Sequence, residues 1–257
     1  MRIGKDNVPL HSYCMENHNL KYSTCEKDIG VFIDSKLNFD VHIANKVNRA
    51  NKIMGVIRRT FDYIDEDMFK IVFKSLVRPH IEYANQVWAP HTKKQINTIE
   101  NVQRRATKLV PGRYELNYEE RLRKLDLPSL SYRRLRGDII ELYKIVHPEK
   151  GYDRTIPHFI PLATNSLRGH PLKIYIRRPR LDIRKYSFCY RSARIWNSLP
   201  ESIVMAPNLH LLEKRLDKYW ADQPIKYQYE EEYEEKQMYR EDGYDDVAVE
   251  DDDQDEY

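Results

Sequence analysis

From about residue 38 onward the apolar positions recur at the spacing of a helix. Ile43, Val47, Ala50, Met54, Ile57 and Phe61 follow one another at steps of 4, 3, 4, 3 and 4, which keeps all six on one stripe of an α-helix. A second helix is predicted over about residues 65–77, with Met68, Ile71, Val72 and Leu76 as its apolar positions and Asp65 as its N-cap. Pro79 is expected to kink or end it, because proline has no N–H to donate and crowds the preceding turn. A third helix covers about residues 92–109, with Ile96, Ile99, Gln103, Ala106 and Val110 on one side, and stops at Pro111-Gly112. Tyr118–Leu125 reads as a short helix, and Pro128 opens a long one reaching about His147. Leu135, Ile139, Leu142 and Val146 form the stripe of that helix; Ile140 lies off it, so burial on more than one side is expected.

The pattern differs at both ends. Residues 8–34 read as short strands (Leu10–Met15, Leu20–Thr24 and Ile29–Ile33) separated by Asn- and Asp-containing breaks. Residues 148–172 hold four prolines and little periodicity, an extended connector. Leu172–Ile176 is a candidate strand; helices come next at Phe188–Leu199, ended by Pro200, and at about residues 208–220. The expected fold is mostly α with a small N-terminal β module (α+β): residues 1–37 as the β module, 38–112 as a helical bundle, 113–223 as a second helical region, and 224–257 as a disordered acidic tail.

Charge changes the picture more than size does. The 257 residues carry 43 Lys+Arg and 40 Asp+Glu, but residues 224–257 hold 3 basic and 15 acidic residues, a net of −12. The remaining 223 residues carry 40 basic and 25 acidic, a net of +15. A basic body with an acidic appendage points to a polyanion partner. Three cysteines form no even disulfide framework, the N-terminus has no apolar signal core, and no run is long and apolar enough to span a bilayer. A soluble, intracellular protein is expected, in nucleus or cytoplasm, with no membrane and no small-molecule substrate.

The basic residues fall on particular helix faces. On the first helix Arg49, Lys52 and Arg59 share a sector of roughly 80° opposite the apolar stripe, with Arg58 beside them in sequence. On the third helix Arg104, Arg105 and Lys108 lie opposite Ile99 and Ala106, and the long helix opens with Arg133, Arg134 and Arg136. Arg177, Arg178 and Arg180 add to the excess. Guanidinium forks pair well with phosphate oxygens, so these faces are candidate nucleic-acid contacts; a merely solvated face is the plainer reading of any one of them. Other constellations carry less. His11, Cys14, His18 and Cys25 have only a loose zinc-knuckle spacing, and alternate strand side chains point apart. Tyr244-Asp245-Asp246 lacks both the spacer and the rigid hairpin that a metal-binding polymerase box needs. His80 and Glu82 read as groups solvating the break after Pro79. The three tryptophans read as packing anchors. No catalytic, metal or cofactor site is expected.

One resemblance runs through most of the chain. Glu26-Lys-Asp-Ile-Gly-Val-Phe-Ile-Asp, Leu37-Asn-Phe-Asp-Val-His-Ile, Ile57-Arg-Arg-Thr-Phe, Leu76-Val-Arg-Pro-His-Ile-Glu-Tyr-Ala-Asn and Val87-Trp-Ala-Pro-His come first. Ile99-Glu-Asn-Val-Gln-Arg-Arg-Ala-Thr-Lys-Leu-Val-Pro-Gly, Tyr118-Glu-Glu-Arg-Leu-Arg-Lys-Leu, Tyr132-Arg-Arg-Leu-Arg-Gly-Asp, Trp196-Asn-Ser-Leu-Pro and Leu216-Asp-Lys-Tyr-Trp come after them. Together they resemble the region after the catalytic palm in reverse transcriptases (RNA-directed DNA polymerases) of jockey-like, non-long-terminal-repeat retrotransposons. The resemblance implies that Lys27, Asp28, Ile29 and Gly30 form a primer-grip-like hairpin, with Ile29 in place of the more usual Leu, and that residues 38–112 are a thumb-like helical bundle. It also implies that the magnesium-binding aspartates belong to a palm absent from these residues. The expectation is an N-terminally truncated polymerase fragment without enzymatic activity, retaining at most weakly sequence-specific binding to an RNA or DNA duplex. The alternatives are a protein-interaction or structural protein acting through its acidic tail, and a non-functional pseudogene product.

Overall fold

Two hairpins open the chain in the computed structural model, which describes residues 1, 3, 12–150, 169–176 and 178–229. β1 (Cys14–Met15) pairs antiparallel with β2 (His18–Asn19), and β3 (Cys25–Asp28) with β4 (Val31–Asp34). Both turns have two residues with positive φ: 48° and 65° at Glu16-Asn17, 41° and 82° at Ile29-Gly30. That handedness matches the twist of the strands. Gly30 takes it at little cost; Ile29, β-branched, does not. The segment expected to be a strand from Ile29 therefore begins at Val31, and residues 20–24 form no strand.

Helices make up the rest. α1 (Asp40–Thr60) buries Ile43, Val47, Ala50, Met54 and Ile57, as their spacing requires, and His42 with them. α2 (Glu66–Val72) begins after Asp65, whose carboxylate accepts from the Met68 amide at 2.8 Å. Pro79 does not end this helix. Phe73–Val77 widen into a π-helical turn and α3 (Arg78–Glu82) carries Pro79 within its first turn. Widening changes which carbonyl faces the proline, so the missing N–H and the ring are accommodated without a break. α4 (Asn85–Trp88) comes next, then α5 (Lys93–Ala106) and α6 (Tyr118–Leu125), the last two each opened by a capping box, Thr92 with Gln95 and Asn117 with Glu120. α7 (Leu130–Val146) is capped by Ser129 and buries residues around more than one side. α8 (Asp182–Lys185), α9 (Phe188–Ser198), α10 (Glu201–Val204) and α11 (Leu209–Tyr219) complete the described fold. Between Leu172 and Ile176 there is one bridge residue, Ile174, instead of a strand. The side-chain amide of Asn197 donates to its carbonyl and accepts from its N–H, both at 2.8 Å.

The buried apolar residues form two clusters. Val31 to Leu130 make the first, around Trp88; Tyr132 to Trp220 make the second, around Trp196. The change falls at the start of α7, so Leu122, Leu125 and Leu127 pack in the first cluster with residues of α1 to α5. Buried polar groups join the clusters. Arg191 on α9 donates to Asp138 at 2.7 and 3.1 Å and to the carbonyls of Asn85 and Gln86. Glu100, fully buried on α5, accepts from the Leu130 amide at 3.1 Å and the Tyr118 hydroxyl at 2.7 Å. Burial pushes the Glu100 carboxyl up, against the pull of nearby Arg134.

The expectation of a disordered tail from Pro224 needs a correction at its start. Pro224–Lys226 form a 3-10 turn, and Ser129 holds the segment by donating from its hydroxyl to the Ile225 carbonyl (2.6 Å) and from its amide to the Lys226 carbonyl (2.7 Å). Isoleucine and tyrosine at 225, 227 and 229 give this stretch apolar surface to bury. Residues 230–257 lie outside the described residues. No helix among the described residues is long and apolar enough to cross a membrane.

Candidate nucleic-acid interface

The β3–β4 hairpin tip is fixed against the helices by groups from three elements. Asp34 gathers the turn before α1, accepting from the amides of Lys36, Asn38 and Phe39 at 3.0, 3.3 and 2.8 Å. His42, near the start of α1, accepts the Phe32 amide on Nδ1 at 3.1 Å and lies 4.9 Å from the Trp88 ring. Burial, then the charge of Lys46, push its imidazole down to about 4, so it is neutral. Tyr83, just after α3, donates its hydroxyl to the Ile29 carbonyl at 2.9 Å. Its ring stands 3.4 Å from where a Cβ on Gly30 would be. The tip thus rests on an aromatic ring, while the Ile29 side chain remains 82% exposed.

Cations ring this tip. Lys27 Nζ lies 5.7 Å from the Phe32 ring and Lys46 Nζ 5.5 Å from the Tyr83 ring. Lys46 is held below the ordinary lysine value by burial, then by the charges of Lys27 and Arg49. His80 is lowered by burial, then by Arg49 and Lys46. These shifts show that Lys27, Lys46, Arg49 and His80 share one electrostatic neighbourhood. Lys52 and Arg59 extend it along the exposed side of α1. Asp28 is the single carboxylate of the tip sequence, exposed and in the ladder opposite Val31.

The other expected contacts divide sharply. Arg105 and Lys108, at the end of α5, are exposed and have no charged partner among the described residues, as is true of Arg49, Lys52, Arg58 and Arg59. Arg58 is on a different flank of α1, roughly 180° from Arg49 at 100° per residue. Four arginines expected on phosphate-facing surfaces are instead engaged within the fold. Arg104 lies between the rings of Tyr118 and Tyr229, 5.1 Å from each, and donates to the Tyr229 hydroxyl. Arg133 pairs with Glu82, its Nη2 at 3.0 Å. Arg134 is buried near Glu100, Glu82 and Asp138. Arg136 makes a fork onto Asp217 at 2.6 and 3.0 Å. Arg104, Arg133 and Arg136 meet acceptors brought in from elsewhere in the fold, while Arg134 donates to Ser131 on its own helix at 2.9 Å.

Sequence reasoning missed Lys46, Tyr83 and the place of His80. Lys46 is one turn before Arg49, roughly 60° outside the basic sector; its spacing of three from Arg49 was the available signal. His80 and Glu82 go to different partners, Glu82 to Arg78 and Arg133. Arg177, His11 and Tyr244-Asp245-Asp246 lie outside the described residues. Cys14 donates to the Asn19 side chain at 2.6 Å, and among the described residues no three His, Cys, Asp or Glu side chains group so as to hold a metal ion.

Comparison with known proteins adds little that is specific. No family model matches the chain, and no solved structure matches it. An uncharacterized protein of Caenorhabditis elegans is 25% identical over 111 residues, which are 42% of this chain and 56% of that protein. The chain thus spans about half the length of the curated relative it matches.

Proposed function

We propose that these 257 residues bind a nucleic-acid duplex, RNA or DNA, with little sequence preference. The surface is the exposed side of α1 (Arg49, Lys52, Arg59) continued through Lys46, Lys27 and His80 to the β3–β4 tip, with Arg105 and Lys108 as outlying contacts. In this reading the chain is the post-palm part of a jockey-like retrotransposon reverse transcriptase: α1 to α5 are its thumb and the Lys27–Gly30 turn its primer-grip-like hairpin. Binding, not nucleotide addition, is the activity proposed; magnesium would belong to the palm. One observation carries the reading: Lys27, Lys46, Arg49 and His80 are grouped around a strained and exposed apolar turn residue, and burial, then these neighbouring charges, lower Lys46 and His80. Like charges grouped without counter-ions repel one another, and phosphates would relieve that repulsion while releasing condensed counter-ions.

Fluorescence anisotropy of a labelled duplex, titrated with the full chain at several salt concentrations, tests this. Six phosphate contacts (Lys46, Arg49, Lys52, Arg59, Arg105 and Lys108) give a slope of log affinity against log salt of about −5 to −6, shared by unrelated duplex sequences. A duplex that does not bind at low salt, or binds with no salt dependence, refutes the proposal.

A further inference from the structure

The segment that leads into the acidic tail is fastened beside part of the same basic surface. Ser129 holds the backbone at Ile225 and Lys226. The Tyr227 ring lies 4.8 Å from the Arg123 guanidinium and its hydroxyl donates to Asp126 at 3.4 Å. Tyr229 is buried, edge-on to Tyr118 at 5.7 Å, and its hydroxyl accepts from Arg104. Arg104 immediately precedes Arg105 and lies one turn before Lys108. The last described residue, Tyr229, is therefore tied to Arg104, a sequence neighbour of Arg105 and Lys108, two exposed cations that have no charged partner among the described residues.

Beyond that anchor the chain is strongly charged: residues 230–257 hold 15 acidic and 2 basic residues, a net of −13. Twenty-eight residues reach at most about 95 Å when extended. The 21 residues of α1 span only about 32 Å, so the anchor restricts where the acidic run starts without preventing it from reaching Arg49 or Lys52. A tethered segment meets its own surface at an effective concentration of order mM. Carboxylates offer cations the same kind of acceptor oxygens as phosphates do.

We propose that residues 230–257 occupy the basic surface of α5 and α1 when no nucleic acid is bound, so that the chain carries its own competitor. Anchoring by Ser129, Arg123 and Arg104 directs the competitor to this surface instead of to the exposed lysines of the π-helical turn after α2 and of α11. The proposal rests on the same surface as the duplex-binding reading, but it concerns a contact that exists without duplex.

Zero-length carbodiimide cross-linking of the full chain, read by mass spectrometry, tests it. Carboxylates of residues 230–257 should join Lys52 and Lys108 more often than Lys74, Lys214 and Lys218, which are also exposed. These links should be lost at about 1 M salt, where screening acts over about 3 Å, and displaced by duplex at low salt. Links spread evenly over all five lysines overturn the proposal, as do Lys52 and Lys108 links that persist while duplex binds. Preferential links with no duplex binding at any salt would remove the nucleic-acid reading and leave this one standing.

Discussion

Replacing Lys46, Arg49, Lys52 and Arg59 by glutamine removes the cations of the proposed α1 surface while leaving its apolar stripe untouched. Each lost contact to duplex DNA lowers the salt slope by about 0.9, so four remove about 3.6. Between about 50 and 200 mM salt the wild-type chain should then lose roughly 150-fold more affinity than the variant. The effect should be the same for unrelated duplex sequences, since phosphate contacts carry no sequence information. Anisotropy titrations at four or more salt concentrations give the slope, and circular dichroism checks that the variant is still helical. Two comparisons make the test specific. Glutamine at Lys74, Lys94, Lys214 and Lys218 changes net charge by the same amount from exposed positions on other elements, and should leave most of the slope intact. Arg136→Gln removes a cation already committed to Asp217, and should leave the slope unchanged while lowering stability by about 1 kcal/mol. If both four-residue sets lower the slope equally, the chain binds as a diffuse polycation and the assignment to α1 is refuted.

Ile29→Asn should stabilise the fold by roughly 1 kcal/mol in urea denaturation, since asparagine tolerates positive φ where isoleucine does not; the same variant should bind duplex more weakly if the exposed side chain touches the ligand. His42 is neutral in the fold, with its imidazole lowered from 6.5 to about 4. Its contribution is therefore intact above pH 6.5 and lost as pH falls toward 4, up to about 3 kcal/mol. Urea midpoints across that range should fall in the wild-type chain and stay flatter in His42→Asn. Glu100→Ala leaves the Leu130 amide and Tyr118 hydroxyl without their acceptor and Arg134 with one carboxylate fewer, so a loss of about 3 kcal/mol or more is expected by denaturation. A loss under about 1 kcal/mol would show that water replaces the carboxylate.

Helices with one periodic stripe and a polar cap were legible in the sequence. Asp65 and the stripe of α1 stand where their spacing put them, and Tyr118–Leu125 is a helix at the predicted bounds. Where the chain departs from expectation, the deciding partner is distant in sequence or the backbone takes a rarer form. Pro79 signals a helix end unless the preceding turn widens, and no local pattern announces a π-helical turn. Ile29 has strand propensity, yet Gly30 beside it makes a two-residue turn whose positive φ both residues must share. The arginines show the limit most clearly. Arg136 meets Asp217 and Arg104 meets Tyr229, 81 and 125 residues away, so neither the helix face of Arg104 nor the place of Arg136 at the start of its helix could say whether the side chain meets solvent or another part of the chain.

That division bears on the α1 surface itself. This fold is rich in carboxylates within reach of guanidinium groups: Glu82, Asp138 and Asp217 each take an arginine fork or close pair. Against that background Arg49, Lys52 and Arg59 are left without charged partners among the described residues, on one side of one helix, and burial, then the charges of Lys27 and Arg49, lower the proton affinity of Lys46. The only β-branched residue with positive φ among those described, Ile29, is at the same end, exposed and held by a hydroxyl from Tyr83. The grouped like charges repel one another, and backbone strain raises the free energy of the isolated protein by about 1 kcal/mol or more. A surface that merely faced water would have no reason to combine them. A polyanion lying along α1 would neutralise the first and give the second a contact, which is why the salt slope and the Ile29→Asn variant should respond together.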